Sequence, residues 1–152
     1  IMSIQEKINN EIKLSMKEKN VDKLAALRSV KSAMLLELTK DGKTNMSDEI
    51  AIQIISKLVK QRKESASIFK SKNRVDLEKE ELAQIKYLVV YLPKQLSEDE
   101  IEERIKVKLN EIDNVSLKDM GRMMGLLMKE FSGKADGKMI SMILKKKLSE
   151  KD

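Results

Sequence analysis

The chain has 152 residues, 31 Lys and Arg against 25 Asp and Glu, a formal net charge of +6 and 41% hydrophobic residues. Cysteine and histidine are both absent, which excludes disulfides, thiol chemistry, His-based acid/base catalysis, Ser-His-Asp triads and nearly all zinc sites. Aromatics make up only 3% and tryptophan is missing; base-stacking platforms are therefore disfavoured, and a nucleic acid would have to be met by charge and shape.

Ile1 precedes Met2-Ser3, so Met2 is read as the natural start and Ile1 as an addition. Charges from Glu6 and Lys7 onward leave no signal-peptide pattern, and no apolar run is long enough to span a membrane. A cytoplasmic protein is expected. Lys, Glu, Leu, Ile, Met and Ala dominate, with one proline and five glycines, a usage that is helical almost throughout. Ile4, Ile8, Ile12 and Met16 recur at helical spacing. A second helix is predicted from Asp22, carrying Leu24, Leu27, Met34, Leu35 and Leu38 and ending near Gly42. The third runs from an N-cap at Ser47 to about Ser71, with Ile50, Ile54, Leu58, Ser65 and Phe69 on one face. The fourth spans about Asp76 to Leu92.

Pro93 is the clearest boundary, because proline disfavours the α region for Leu92 and has no N–H to donate. Ser97 with Glu100 forms a capping box for a new helix, and Ser116 with Asp119 repeats the spacing. The expected architecture is all-α: a four-helix domain over 1–92, a hinge over 93–96, and a three-helix domain over 97–152. Met120, Met123, Met124, Met128, Met139 and Met142 are expected to give the second domain an adaptable core.

The charge is uneven. Seven cations face only Glu64 between Lys57 and Arg74, seven acids outnumber three cations between Ser97 and Asp113, and eight cations face three acids between Ser116 and Leu148. Such asymmetry points towards an anionic partner. On a helix over 116–131, Leu117, Met120, Met123, Met124, Leu127, Met128 and Phe131 share one broad face. Lys118, Arg122 and Lys129 fall within about 40° of one another on the other side, with Gly125 among them and Gly121 at the edge. Two glycines four apart in a helix cost roughly 1 kcal/mol each against alanine, so they call for close approach of a backbone, either a phosphate chain or another helix. The alternative is tight helix packing beside an ordinary solvated face.

In the loop Gly133-Lys134-Ala135-Asp136-Gly137-Lys138, Gly133 suits a left-handed cap and Asp136 the N-cap of the last helix. N–H groups at that helix start, beside Lys134 and Lys138, suit a phosphate, although Asp136 opposes one; the spacing is not that of a Walker A loop. Lys60, Lys63 and Lys70, with Arg62, Lys72 and Arg74 nearby, form a secondary basic patch, or simply a solvated face. Lys145-Lys146-Lys147 is either phosphate-binding or a favourable cationic helix end. The acids Glu98, Asp99, Glu100, Glu102 and Glu103 are read as a favourable helix start. No catalytic residue, cofactor or metal site is expected.

Several blocks in order carry a family resemblance. They are Leu27-Arg28-Ser29-Val30-Lys31-Ser32-Ala33; Val59-Lys60-Gln61-Arg62-Lys63-Glu64-Ser65, followed by Arg74-Val75-Asp76-Leu77; Tyr91-Leu92-Pro93-Lys94-Gln95-Leu96-Ser97; Lys118-Asp119-Met120-Gly121; and the Gly133–Lys138 loop. From Met2 to about Leu148 the chain resembles the stand-alone YqeY-like members of the GatB/YqeY family. Asn73 departs from the glycine expected before the Arg-x-Asp-Leu block, but asparagine tolerates the left-handed conformation.

The resemblance implies two helical domains, the second related to the tail of the B subunit of glutamine-dependent tRNA amidotransferases. Those enzymes are carbon-nitrogen ligases with glutamine as amido-N-donor, and their tail contacts tRNA while a separate domain performs the chemistry. What carries over is therefore tRNA as partner, with an amidotransferase or another tRNA enzyme beside it. Lys118, Arg122, Lys129, Lys134 and Lys138 would then contact phosphates, with Gly121, Gly125 and Gly133 shaping the approach. The alternative is a protein-interaction adaptor that uses the Met-rich unit.

Overall fold

The computed structural model describes residues 1–151, which form two compact units, Ile1–Leu92 and the chain from Pro93 onward. Regular structure among the described residues is entirely helical.

The N-terminal unit contains α1 (Ile4–Glu18), α2 (Val21–Asp41), α3 (Asp48–Ser71) and α4 (Val75–Leu88), and a 3-10 turn over Val89–Tyr91 follows. Its helix ends are written in short-range chemistry. Ser3, Asn20 and Ser47 each accept a backbone N–H from the first turn they precede. Gly42 closes α2 at φ +63°, and Asn73 turns the chain between α3 and α4 at φ +57°, the left-handed conformation expected of it. The start of α1 is tied to the first residue of α3 and the loop before it: Ile4 N–H donates to Asp48 Oδ1 (2.9 Å), the Gln5 amide donates to Thr44 O (3.0 Å), and Met46 N–H donates to Gln5 Oε1 (2.9 Å).

Ile4, Ile8, Leu27, Val30, Met34, Leu38, Ile55, Val59 and Leu88 build the core together with the small Ala26 and Ala51. The periodicity named several of these, but it set the faces of three helices imperfectly. In α1, Ser15 is buried and Met16 exposed; the Ser15 hydroxyl donates to Glu11 O (2.7 Å), so the polar side chain satisfies itself locally. In α2, Leu35 is 53% exposed, while Ala26 and Val30 lie inside. In α3 the buried stripe is Ala51, Ile55, Val59 and Ala66, with Ile50 exposed. That rotates the core face by about 90° from the stripe of large side chains. The stripe combines small and large, Ala51 and Ala66 with Ile55 and Val59, and Ile54 and Leu58 pack half-buried at its edge.

Arg62 occupies the middle of the rotated stripe, four residues from both Leu58 and Ala66. It is therefore not part of the outward basic patch. Half-buried, it donates from Nε to Gln84 Oε1 on α4 (2.9 Å), from Nη1 to Leu58 O (3.2 Å) and from Nη2 to Ser29 Oγ on α2 (2.9 Å). Ser29 in turn donates to Ala26 O (2.6 Å). The fourth helix is also shorter than expected: α4 ends at Leu88, tightens to 3-10 through Tyr91, and Leu92 is extended at φ −89°, ψ 155°. Pro93 forbids Leu92 the helical region, and the distortion spreads back one turn.

The C-terminal unit contains α5 (Glu98–Asn110), a 3-10 turn (Leu117–Asp119), α6 (Met120–Glu130) and α7 (Gly137–Lys151). The Ser97–Glu100 capping box forms as read. Ser116 N–H donates to Asp119 Oδ2 (3.0 Å), so the shorter aspartate closes a 3-10 turn and α6 begins only at Met120. Pro93 to Leu96 leads directly into this unit: Leu96 N–H donates to Lys134 O (2.9 Å), and the Gln95 amide donates to Gly133 O (2.6 Å). Its core is Ile101, Ile105, Leu109, Phe131, Ile140, Leu144 and Leu148 around Met123 and Leu127. The methionine core is thus a correction. Met120 and Met124 are only half-buried, and Met128, Met139 and Met142 are exposed, because branched residues from α5 and α7 fill the centre.

Two substitutions test these assignments. Arg62→Ala removes three charge-assisted hydrogen bonds and is expected to destabilise the protein by about 2–3 kcal/mol, measured by chemical denaturation; Arg62→Lys restores little, since an ammonium cannot reproduce the forked geometry. Asn73→Ala is expected to cost roughly 1 kcal/mol because of its left-handed φ, whereas Asn73→Gly stays within about 0.5 kcal/mol.

Candidate nucleic-acid interface

The candidate face is built on α6. Its buried side carries Met123, Leu127 and Phe131, flanked by Met120 and Met124. The opposite side therefore presents Gly121, Arg122, Gly125 and Lys129, all exposed, and Lys118 is exposed in the 3-10 turn just before the helix. A Cβ placed on Gly121 or Gly125 would meet no atom within 4 Å. Tight packing inside this chain thus does not explain the glycines; their surfaces lie open.

The cations differ in how far they are committed. Arg122 donates to Asp119 Oδ1 at 3.3 Å, with its side chain 61% exposed, so the pair is a surface one and its guanidinium remains accessible. Such pairs contribute at most about 1 kcal/mol and give way to a better anion. Lys118 and Lys129 project into solvent. After α6, Gly133 adopts φ +73°, and the carbonyls of Gly133 and Lys134 are taken by the Gln95 amide and the Leu96 N–H. Residues 95–96 thus brace the loop. Asp136 caps α7: its Oδ1 accepts from Lys138 N–H at 3.0 Å. One first-turn N–H is thereby satisfied by a carboxylate, which partly opposes an anion at the start of α7. Gly137 lies against Met128, whose Sδ and Cε sit 3.4 Å from where a Cβ would be. The loop is thereby seated beside the last turns of α6.

Of the cationic triplet on α7, Lys145 and Lys146 are exposed, but Lys147 is bound to Glu102 (2.9 Å) and reaches Glu150 (3.7 Å). The hydrogen bond from Lys147, then its charge, holds the Glu102 carboxyl below the usual range. This pair ties α5 to α7 and accounts for one of the first-turn acids. In the N-terminal unit Lys60, Lys63 and Lys70 are exposed along α3, whereas Arg74 is engaged with Asp76 at 3.2 Å. Its hydrogen bond lowers the Asp76 carboxyl. The secondary patch therefore keeps its three lysines, while Arg62 turns inward and Arg74 is paired.

One concavity escaped the sequence reading. Lys7, Glu11, Lys23, Tyr87, Val90 and Tyr91 line a cleft in the N-terminal unit. Its signal was slight: the chain's two tyrosines, four residues apart before Pro93.

No helix among the described residues is long and apolar enough to cross a membrane. A model of the family described as Yqey-like protein matches residues 5–148. The chain is also similar to altered inheritance of mitochondria protein 41, mitochondrial, of Pyrenophora tritici-repentis (strain Pt-1C-BFP). The two are 27% identical over 132 residues, which cover 85% of this chain and 71% of that protein. With nearly its whole length matched by the family model, the chain belongs to the YqeY-like family.

Proposed function

We propose that this chain is a cytoplasmic tRNA-binding module, acting beside an amidotransferase or another tRNA enzyme and without catalysis of its own. In this reading the C-terminal unit is the counterpart of the amidotransferase B-subunit tail. The observation that carries it is the exposed face of α6, where Gly121 and Gly125 lie open and Lys118, Arg122 and Lys129 flank them. A phosphate backbone can approach a helix closely over glycine, and cations on either side neutralise it. Lys134 and Lys138 in the adjoining loop bring the phosphate contacts to about five, which predicts a log–log salt slope near −3 to −5. Histidine and cysteine are absent, so glutamine hydrolysis by a Cys nucleophile or a His base is not available to the isolated chain.

A second reading, a protein-interaction adaptor, is favoured by Met142 at 73% exposure with Leu126, Met128 and Met139 also exposed. The two separate on salt: apolar docking tolerates it, while phosphate contacts do not.

The test is a tRNA titration at two salt concentrations. Wild type is expected to bind with the steep slope above, and Lys118→Glu/Arg122→Glu/Lys134→Glu to lose binding; a flat salt response rejects the proposal. Gly121→Ala/Gly125→Ala is the sharper variant. The added methyls meet open space, so helix propensity should stabilise the protein by about 1–2 kcal/mol in total while tRNA affinity falls. Stabilisation with unchanged affinity would remove the glycines from the interface. Amidated aminoacyl-tRNA formed by the purified chain from glutamine, ATP and misacylated tRNA would overturn the non-catalytic assignment.

A further inference from the structure

We propose that the cleft in the N-terminal unit binds a small aromatic anion, a planar ring carrying one phosphate or carboxylate group. The cleft is open to solvent on one side and offers about 390 Å³, within the roughly 300–1,000 Å³ of small-molecule sites. Lys7 and Glu11 reach it from successive turns of α1, Lys23 from α2, Tyr87 from α4, and Val90 and Tyr91 from the 3-10 turn. Four separate segments thus converge on it.

Its chemistry selects the ligand class. The Lys23 ammonium sits 2.7 Å from a Glu11 carboxylate oxygen, so these two charges are matched within the wall. The Lys7 ammonium has no ion-pair partner among the described residues and leaves one positive charge to be met. Tyr87 is anchored, since its hydroxyl accepts from the Asn20 amide at 3.3 Å and keeps its own proton to donate. Burial, then the nearby Glu11 charge, pushes the Tyr91 phenol up to about 12, so it too is a donor at neutral pH. One unmatched cation and two phenol donors suit an acceptor-rich anion, while two tyrosine rings and Val90 suit a flat apolar body. In a chain with only two tyrosines, both line this cleft. None of the six residues belongs to the tRNA face proposed above, so either assignment can fail without the other.

The full chain carrying isotope-labelled tyrosine is titrated by NMR with adenosine monophosphate and with indole-3-acetate, against adenosine and inorganic phosphate alone. The tyrosine rings report the cleft directly. Saturable shifts of both rings with a Kd below about 1 mM for either anionic probe, and at least tenfold weaker effects from both controls, are expected. The responding probe identifies phosphate or carboxylate as the group bound. Lys7→Glu lies at an exposed position and is expected to weaken binding at least tenfold with unchanged helicity; Tyr91→Phe keeps the ring and should weaken it a few-fold. No ring shifts with either probe, equal binding by inorganic phosphate, or full affinity in Lys7→Glu would each overturn the assignment.

Discussion

The N-terminal unit depends on one half-buried guanidinium. Arg62 projects from α3 into the packed face and is satisfied by α2, by its own helix and by α4. A charge in that position is tolerable only because its donors find acceptors; leaving them unmatched would cost more than the bonds contribute. The guanidinium's rigid fork imposes directions on its partners, so Ser29 and Gln84 must present oxygens at defined points. Greasy contacts alone would let the three helices slide and rotate. The hydrogen bonds help to specify how α3 faces its neighbours, with Ala51, Ile55, Val59 and Ala66 buried and Ile54 and Leu58 packed half-buried beside them.

Charge elsewhere divides into cations that hold the fold and cations left over. Lys23, Lys108 and Lys147 reach carboxylates from other helices and join α1 to α2, α5 to α6 and α5 to α7. Arg74 and Arg122 find aspartates two and three residues away. Lys60, Lys63 and Lys70 along α3, and Lys118 and Lys129 beside the α6 glycines, remain exposed without such a partner among the described residues. Long-range attraction for a polyanion depends on this remainder, since paired charges largely cancel at the distance of a Debye length.

The two α6 glycines bear on stability and surface shape together. Each loosens the helix relative to alanine and, with nothing above it, returns no packing. Their openness leaves backbone uncovered between flanking side chains, a feature that stability does not require. The methionines follow a related logic: those on the surface of the C-terminal unit leave its centre to branched residues and Phe131, which pack with fewer alternatives.

By itself the sequence determined the local grammar. Ser47, Gly42, Asn73 and the Ser97–Glu100 pair act through the backbone within one turn, so their identity and spacing suffice to place helix ends. Family membership was legible for the same reason, in short blocks of ordered residues, and so was the separation of Met123 and Leu127 from Arg122 and Lys129 across α6. Tertiary structure decided which flank of α3 turns inward, because that choice rests on Ser29 and Gln84, distant in sequence. It also decided that Lys147 is spent on Glu102 while Lys145 and Lys146 are not. The spacing of Tyr87 and Tyr91 hinted at the cleft but could not show it: Lys7, Glu11 and Lys23 come to it only when α1 and α2 pack beside the end of α4. Periodicity reports a residue's angle about its own helix axis; which neighbour waits at that angle is fixed by packing.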